Sequence, residues 1–192
     1  MLDRILPAAV LALALATAPG GPAAAAPAEW TVIHEDSRLG FEATQGGDTF
    51  EGRFADWRAD IAFSPDDLAA SAVTVEVAID SFDANSRDRN STAMNDQWFD
   101  AEEHPTAVFE TRAFRHLDGD SYEAVADLTI KGVSRELVLP FTLQIDGDTA
   151  RMDGSATILR TNWNVGTGDW ASGDTVGLEV RVVVDLVAER AG

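Results

Sequence analysis

The sequence predicts an all-β domain of antiparallel strands with one short helical insert, built either as an up-and-down barrel or as a sandwich. The first observation is a strict alternation of apolar and polar residues, which is clearest in residues 73–80, 137–145 and 178–186. Alternation with a period of two is typical of strands that bury one face. The second observation is a set of short turn signals between such runs. The third is one polar segment, residues 86–103, that lacks the alternation.

Weaker alternation predicts further strands along the chain. These cover residues 30–34, 38–44, 49–54, 57–63, 107–114, 122–130 and 151–160. The whole set corresponds to about eight or nine antiparallel strands. Pro140 has no N–H to donate, so we expect its strand to be bulged or to form an edge at that point.

The connections between these strands carry turn chemistry. Gly46-Gly47-Asp48, Asp118-Gly119 and Asp146-Gly147 are short-hairpin signals, because glycine tolerates a positive φ. Ser64-Pro65-Asp66-Asp67 predicts a turn or a single helical turn. Short hairpins join antiparallel neighbours, which favours a meander of strands.

The polar segment 86–103 predicts a helical connection. It lies between a strand that ends near Phe82 and one that begins near Pro105, and Ser86 is suited to be the N-cap of a short helix.

The amino terminus predicts a secretory signal peptide over residues 1–28, followed by a single domain over residues 29–192. Arg4 precedes an apolar run, and Ala26-Pro27-Ala28 fits a small-x-small cleavage site. The alternative is a membrane anchor, but the run is short for a bilayer span of about 20 residues and is closed by proline and glycine. We therefore expect an exported, periplasmic protein.

Composition restricts the partners. The chain has 14 basic and 33 acidic residues, a net charge of -19, and no cysteine. Such a charge repels phosphate backbones, so nucleic acid is not expected as a partner. The lack of cysteine excludes disulfides, thiol catalysis and cysteine metal clusters.

Several short motifs, in one order and spacing, resemble the YceI family of exported polyisoprenoid-binding proteins. The most specific is Leu128-Thr129-Ile130-Lys131-Gly132-Val133-Ser134. The others are Ser37-Arg38-Leu39-Gly40-Phe41, Gly52-Arg53-Phe54, Ser81-Phe82, Arg87-Asp88, Trp98-Phe99-Asp100 with Pro105 and Phe109, and Arg160 with Trp163 and Gly166. The resemblance covers nearly all of residues 29–190.

The resemblance implies a lipocalin-like barrel of about eight strands with an elongated apolar cavity for an isoprenoid or similar long amphiphile. The segment Gly166-Thr167-Gly168-Asp169-Trp170 resembles a branch whose members accompany membrane b-type cytochromes. A quinone-handling accessory of such a cytochrome is therefore the alternative function, and a hydrolase on the same barrel is a lesser one. The expected ligand is an isoprenoid lipid or an isoprenoid quinone, no other cofactor is expected, and a homodimer is kept open.

A site for a long apolar chain needs aromatic and aliphatic walls. The candidate wall residues are Phe41, Phe54, Phe63, Phe82, Trp98, Phe99, Phe109, Leu128, Ile130 and Trp163. Arg53, Arg87 and Arg160 are the candidates for contact with a head group, because arginine binds phosphate or a quinone oxygen. The alternatives are core packing for the wall residues and structural ion pairs for the arginines.

Metal binding and catalysis are not expected. His34, His104 and His116 are dispersed, without the short spacing of metal ligands. The sequence has no Gly-x-Ser-x-Gly nucleophile elbow, and Gly166, Gly168 and Gly173 lack the lysine and the strand-to-helix context of a phosphate loop. We interpret that glycine-rich segment as a hairpin loop in which Trp170 covers a barrel end.

Overall fold

A computed structural model describes residues 26–192. The predicted signal peptide lies almost wholly outside the described residues, and the first strand begins at Ala28. The strands are β1 (Ala28–Val32), β2 (Arg38–Gln45), β3 (Asp48–Phe54), β4 (Trp57–Phe63), β5 (Ala72–Ala78), β6 (Phe82–Asp83), β7 (Thr106–Asp118), β8 (Ser121–Ile130), β9 (Val133–Asp146), β10 (Thr149–Leu159) and β11 (Glu179–Arg190). The one α-helix of the described residues is α1 (Arg87–Ala93), and short 3₁₀ turns lie at His34–Asp36, Ile79–Ser81, Arg160–Trp163 and Gly168–Trp170.

These segments form a closed eight-stranded antiparallel barrel. The pairing order is β1, β4, β5, β7, β8, β9, β10 and β11, and β11 pairs back to β1. The closure confirms the up-and-down barrel and excludes the sandwich.

Three of the eight barrel strands are kinked into two segments each. β11 pairs along one edge with both β1 and β2, so these two segments form one long strand interrupted by the 3₁₀ turn at His34–Asp36. The second long strand consists of β3 and β4, because β3 pairs with β2 and β4 pairs with β1. The third consists of β5 and β6, because β5 pairs with β4 and β6 pairs with β3. The kinks explain why the sequence shows more short runs than the barrel has strands.

The hydrogen-bond ladder between β9 and β10 ends next to Pro140, where the sequence predicts an irregular strand. Pairing of β9 with β10 ends at Phe141 and Gly154, so Pro140 and the residues before it face β10 without a ladder. Since proline lacks an N–H, it cannot continue that ladder. The gap is bridged by the turn that follows β10, where the indole Nε1 of Trp163 donates to the carbonyl oxygen of Leu128 at 2.9 Å.

The two ends of the barrel differ. One end is filled by an aromatic cluster in which Phe63 packs edge-on against Phe114 and Tyr122, and Tyr122 stacks on Phe141 at 5.5 Å between ring centroids. The other end is covered by α1, the connection after it, and the long segment between β10 and β11. We call the first the plugged end and the second the capped end.

The helix and its cap agree with the prediction. Ser86 has an extended backbone, and its hydroxyl oxygen accepts from the Arg89 N–H, which stops the chain from continuing as a strand and starts the helix. No helix among the described residues is long and apolar enough to cross a membrane.

Candidate functional site

The barrel encloses an elongated cavity of about 680 Å³ that extends from the capped end toward the middle of the molecule. Inward-facing residues of the alternating strands provide its walls, which confirms the face predicted from their periodicity. On β5 these are Val73, Val75 and Val77, followed by Ile79, and on β11 they are Val180, Val182, Val184 and Leu186. The volume lies in the range of about 300–1,000 Å³ that small-molecule sites occupy.

Nine of the ten predicted wall residues line this cavity. They are Phe41, Phe54, Phe82, Trp98, Phe99, Phe109, Leu128, Ile130 and Trp163. The tenth, Phe63, lines a separate cavity of about 100 Å³ nearer the plugged end. Contact with a ligand stays a prediction for each of them.

An aromatic group forms the wall beneath α1. Phe41 stacks on Phe82 at 5.0 Å between centroids, and Phe82 lies 5.7 Å from Phe99. Gly52 makes this arrangement possible, because a Cβ atom there would stand 2.2 Å from the Phe41 ring and 2.6 Å from the Asp83 carbonyl oxygen. The glycine therefore lets an aromatic ring lie flat against the neighbouring strand.

The structure does not place Arg53 or Arg87 at the cavity, which corrects the prediction for these two arginines. Arg53 follows Gly52 on β3 and so faces outward, where it is exposed. Arg87 is the first residue of α1 and is also exposed. Both belong to motifs that border the cavity, but strand alternation and helix rotation turn their side chains away from it.

Arg160 lines the cavity but is committed to the protein backbone. Its side chain is 3% exposed, and each of its five N–H groups donates to a carbonyl oxygen of the segment between β10 and β11. The acceptors are Val165, Gly166, Trp170, Val176 and Gly177, and the four bonds other than that to Trp170 measure 2.8–2.9 Å. Burial lowers the pKa of this guanidinium from its ordinary value. The sequence left open a structural ion pair for this arginine, but its partners are backbone carbonyl oxygens and not carboxylates. Because all five N–H groups are used, none is free to bind a head group.

Arg89 is the cavity arginine that sequence reasoning missed. Its Nε donates to the Gln45 side-chain oxygen at 2.8 Å, and its guanidinium carbon lies 4.1 Å from the centre of the Phe50 ring. Residues two positions apart on a helix differ by about 200° of rotation about its axis, so Arg89 faces the barrel whereas Arg87 faces solvent. A helical projection from the Ser86 cap would have separated the two.

Polar side chains of the cavity wall gather at the capped end. Besides Arg160 they are Gln45, Ser86, Asp88, Arg89 and Thr92, from the end of β2 and from α1 with its cap. The walls farther into the barrel are apolar. The cavity is therefore amphiphilic along its length.

Trp98 and Trp170 close part of the capped end. Their ring centroids lie 5.4 Å apart, and the Trp170 Nε1 donates to the Gln97 side-chain oxygen at 3.3 Å. The Gln97 carbonyl oxygen accepts from the N–H groups of Gly166 and Thr167, so two loops are joined above the cavity. The Nε1 of Trp98 is buried and has no hydrogen-bond partner among the described residues.

Between residues 26 and 192 no group of three or more histidine, aspartate and glutamate side chains is arranged to hold a metal ion.

Comparison with known proteins gives one family. The model of the YceI-like domain matches residues 30–188. A UPF0312 protein of Pseudomonas aeruginosa is 28% identical over 120 residues, which are 59% of this chain and 62% of that protein. The chain thus spans somewhat less than two thirds of the length of this relative.

Solved structures share the barrel. BcnA of Burkholderia cenocepacia superposes with a TM-score of 0.78 at 31% identity, over 81% of this chain and 98% of that one. A polyisoprenoid binding domain of Saccharophagus degradans, described as implicated in plant cell wall breakdown, superposes with a TM-score of 0.69 at 12% identity, over 85% and 99% of the two chains. At that identity the likeness to the second structure is one of fold.

Proposed function

The chain belongs to the YceI-like family, and we propose that its barrel binds and carries a long amphiphilic lipid, of which a polyisoprenoid is the preferred class. One observation carries the proposal: a cavity of about 680 Å³ whose walls are apolar along the barrel and polar only at the capped end. An unpartnered polar atom in such walls would cost about 1–3 kcal/mol, so the cavity selects a ligand with a long apolar part.

The polarity of the cavity also orients the ligand. The head group would lie beside Arg89, Gln45 and Ser86 at the capped end, and the tail would extend toward Phe109. Arg89 donates through Nε and Nη1 to the protein, while its Nη2 has no acceptor among the described residues. It can therefore donate to a ligand oxygen without losing its place.

The relatives support this proposal at the level of fold. The domain of Saccharophagus degradans is named for polyisoprenoid binding, and at 12% identity the likeness of the two chains is one of architecture. Fold alone does not specify a ligand, so the weight rests on the cavity.

We propose export to the periplasm as part of the same function. Production of the full chain in a bacterium, followed by fractionation and N-terminal sequencing, tests this. A mature protein that begins near Glu29 in the periplasmic fraction is expected, and an uncleaved chain at the membrane would contradict it.

Native mass spectrometry of the protein, followed by denaturing lipid extraction, tests ligand binding. We expect a bound species whose mass falls in a series of isoprene steps. Val182→Phe, which fills the cavity, should lose that species, whereas Val183→Phe on the outer face of the same strand should keep it. An empty wild-type protein that also takes up no added isoprenoid would refute the proposal.

A quinone-handling accessory of a membrane b-type cytochrome is the second candidate. The observation that favours it is the buried N–H of Trp98, which lacks an acceptor at the cavity wall. A quinone carbonyl is an acceptor of the required kind. The ultraviolet spectrum of the extracted ligand before and after borohydride reduction distinguishes the two, because only a quinone changes its absorbance on reduction.

A further inference from the structure

The cavity of about 680 Å³ and the smaller cavity of about 100 Å³ lie in line along the barrel. Five residues line both: Val73, Phe109, Leu139, Met152 and Leu186. They come from five different strands, β5, β7, β9, β10 and β11, and so form a transverse belt between the two cavities. We call the cavity beyond this belt the inner chamber.

The inner chamber can accept only an apolar group. Its walls include Phe63, Phe114 and Phe141 of the plugged end, and Trp30, which belongs to the same hydrophobic cluster as Phe63 and Phe141. The hydroxyl of its one wall threonine, Thr111, is already used, since it accepts from the Val73 N–H at 2.8 Å and donates to the Val73 carbonyl oxygen at 3.2 Å. The chamber therefore suits the end of a tail and not a head group.

We propose that the belt sets the length of chain that the barrel encloses, with Phe109 as the residue that determines this specificity. The inference rests on the proposed binding of an isoprenoid. Phe109 is the only aromatic residue of the belt, and an aromatic ring has fewer ways to move aside than the flexible thioether of Met152. The ring closes the route into the inner chamber.

The dimensions give the expected chain length. At about 30 Å³ for each water-sized group in a liquid, the main cavity holds roughly 20 carbon-sized groups, or about four isoprene units. From Leu186 to Ala188 the wall of the inner chamber extends two residues along β11, about 7 Å. At the same volume of about 30 Å³ per group, the inner chamber of about 100 Å³ holds about three carbon-sized groups, and removal of the Phe109 ring supplies room for the rest of one isoprene unit.

The test measures affinity for isoprenoid alcohols of 10, 15, 20 and 25 carbons, on lipid-free protein, by native mass spectrometry and calorimetry. For the wild type, affinity should rise with each unit up to about 20 carbons and then change less than about twofold at 25 carbons. In Phe109→Ala the 25-carbon alcohol should bind at least about tenfold more tightly than the 20-carbon alcohol, because one more unit leaves water.

Two further variants make the comparison specific. Leu117→Ala removes an exposed apolar side chain from β7, the strand that carries Phe109, outside both cavities, and should leave the optimal length at about four units. Adding Ala150→Leu to Phe109→Ala fills the inner chamber again and should restore the wild-type length. Met152→Ala opens the same belt from β10, and it replaces Phe109→Ala in the comparison if Phe109→Ala does not fold.

The outcomes separate the two levels of the argument. If the wild type binds none of the alcohols, the proposed function fails and the belt has no role in it. If the wild type binds them but the optimal length is the same in Phe109→Ala and Met152→Ala, the proposed function stands and the belt proposal is overturned.

Discussion

Replacing Arg160 by methionine tests whether this buried arginine holds the capped end together or contacts a ligand. The guanidinium is 3% exposed, and its five N–H groups all donate to carbonyl oxygens in residues 165–177. Methionine preserves much of the apolar stem but removes every donor. The carbonyl oxygens then either stay unsatisfied or must turn toward water.

The expected loss follows from the number of bonds and from the cost of burying the charge. A hydrogen bond to a charged group contributes about 1.5–3 kcal/mol, so five bonds give a large gross stabilisation. Desolvation of the guanidinium opposes it by several kcal/mol, and removal of one side of a buried charged arrangement costs about 3–5 kcal/mol. We expect Arg160→Met to lower the free energy of unfolding by about 3–5 kcal/mol, which corresponds to roughly 10 °C in Tm for a domain of this size.

Urea unfolding, thermal unfolding and hydrogen exchange of residues 165–177 provide the assay. Arg53→Met, at an exposed arginine, is the matched control and should change the free energy by no more than about 0.5 kcal/mol. The reasoning is refuted if the free energy of unfolding of Arg160→Met lies within about 0.5 kcal/mol of the wild type, as for an ordinary surface change, and the variant loses bound lipid. That pair of results would make Arg160 a ligand contact, as the sequence analysis proposed.

Three further changes test other parts of the structure. Gly52→Ala should cost more than about 2 kcal/mol and disturb the Phe41 ring, because the new Cβ would stand 2.2 Å from it; an unfolding midpoint equal to that of the wild type would contradict this. Hydrogen bonds from the Asn90 side chain and the Asn85 N–H hold the pKa of Asp83 below 3.8, so this carboxylate stabilises the fold above that pH and its contribution is lost as the pH falls. Asp83→Asn should therefore be less stable than the wild type at pH 7, with the difference shrinking below about pH 4 in acid unfolding curves; a difference that does not depend on pH would contradict it. Trp163→Phe should cost about 1 kcal/mol in urea unfolding by removing the bond to the Leu128 carbonyl oxygen across the gap in the barrel, and a neutral effect would show that packing alone closes it.

The barrel was predictable because alternation reports directly which face of a strand is buried. Residues 73–80 and 178–186 show this best, and their apolar positions line the cavity. The sequence could not show that β1 and β2 are halves of one long strand, or that β3 and β4 are. This is evident only from the strand pairing, in which both halves lie along the same neighbouring strand. It also did not identify the tight turn at Lys131 and Gly132, where both φ angles are positive.

The candidate site was predictable in its apolar part and less so in its polar part. Nine of the ten wall candidates line the main cavity. Six of them lie on strands, where alternation indicates the buried face: Phe41, Phe54, Phe82, Phe109, Leu128 and Ile130. The other three, Trp98, Phe99 and Trp163, lie outside the strands and were predicted from the motifs of the family resemblance. Arginines carry no such signal, because a long side chain reaches solvent from many positions. Arg53 and Arg87 therefore proved to face outward, and Arg89 could be chosen only from the rotation of a helix. Ligand contact, export, a cytochrome partner and a homodimer stay predictions.

The distribution of polar groups has a consequence for what such a barrel can select. Transfer of a methylene from water is worth about 0.8 kcal/mol, or about 4 kcal/mol for an isoprene unit, but a bilayer offers nearly the same transfer. The tail therefore adds little to the preference of a lipid for the protein over the membrane. What distinguishes one lipid from another is then the fit at the two ends of the cavity. Arg89 and its neighbours lie at one end and the Phe109 belt lies at the other, so selectivity would change most on substitution at these two places and least in the smooth walls between them.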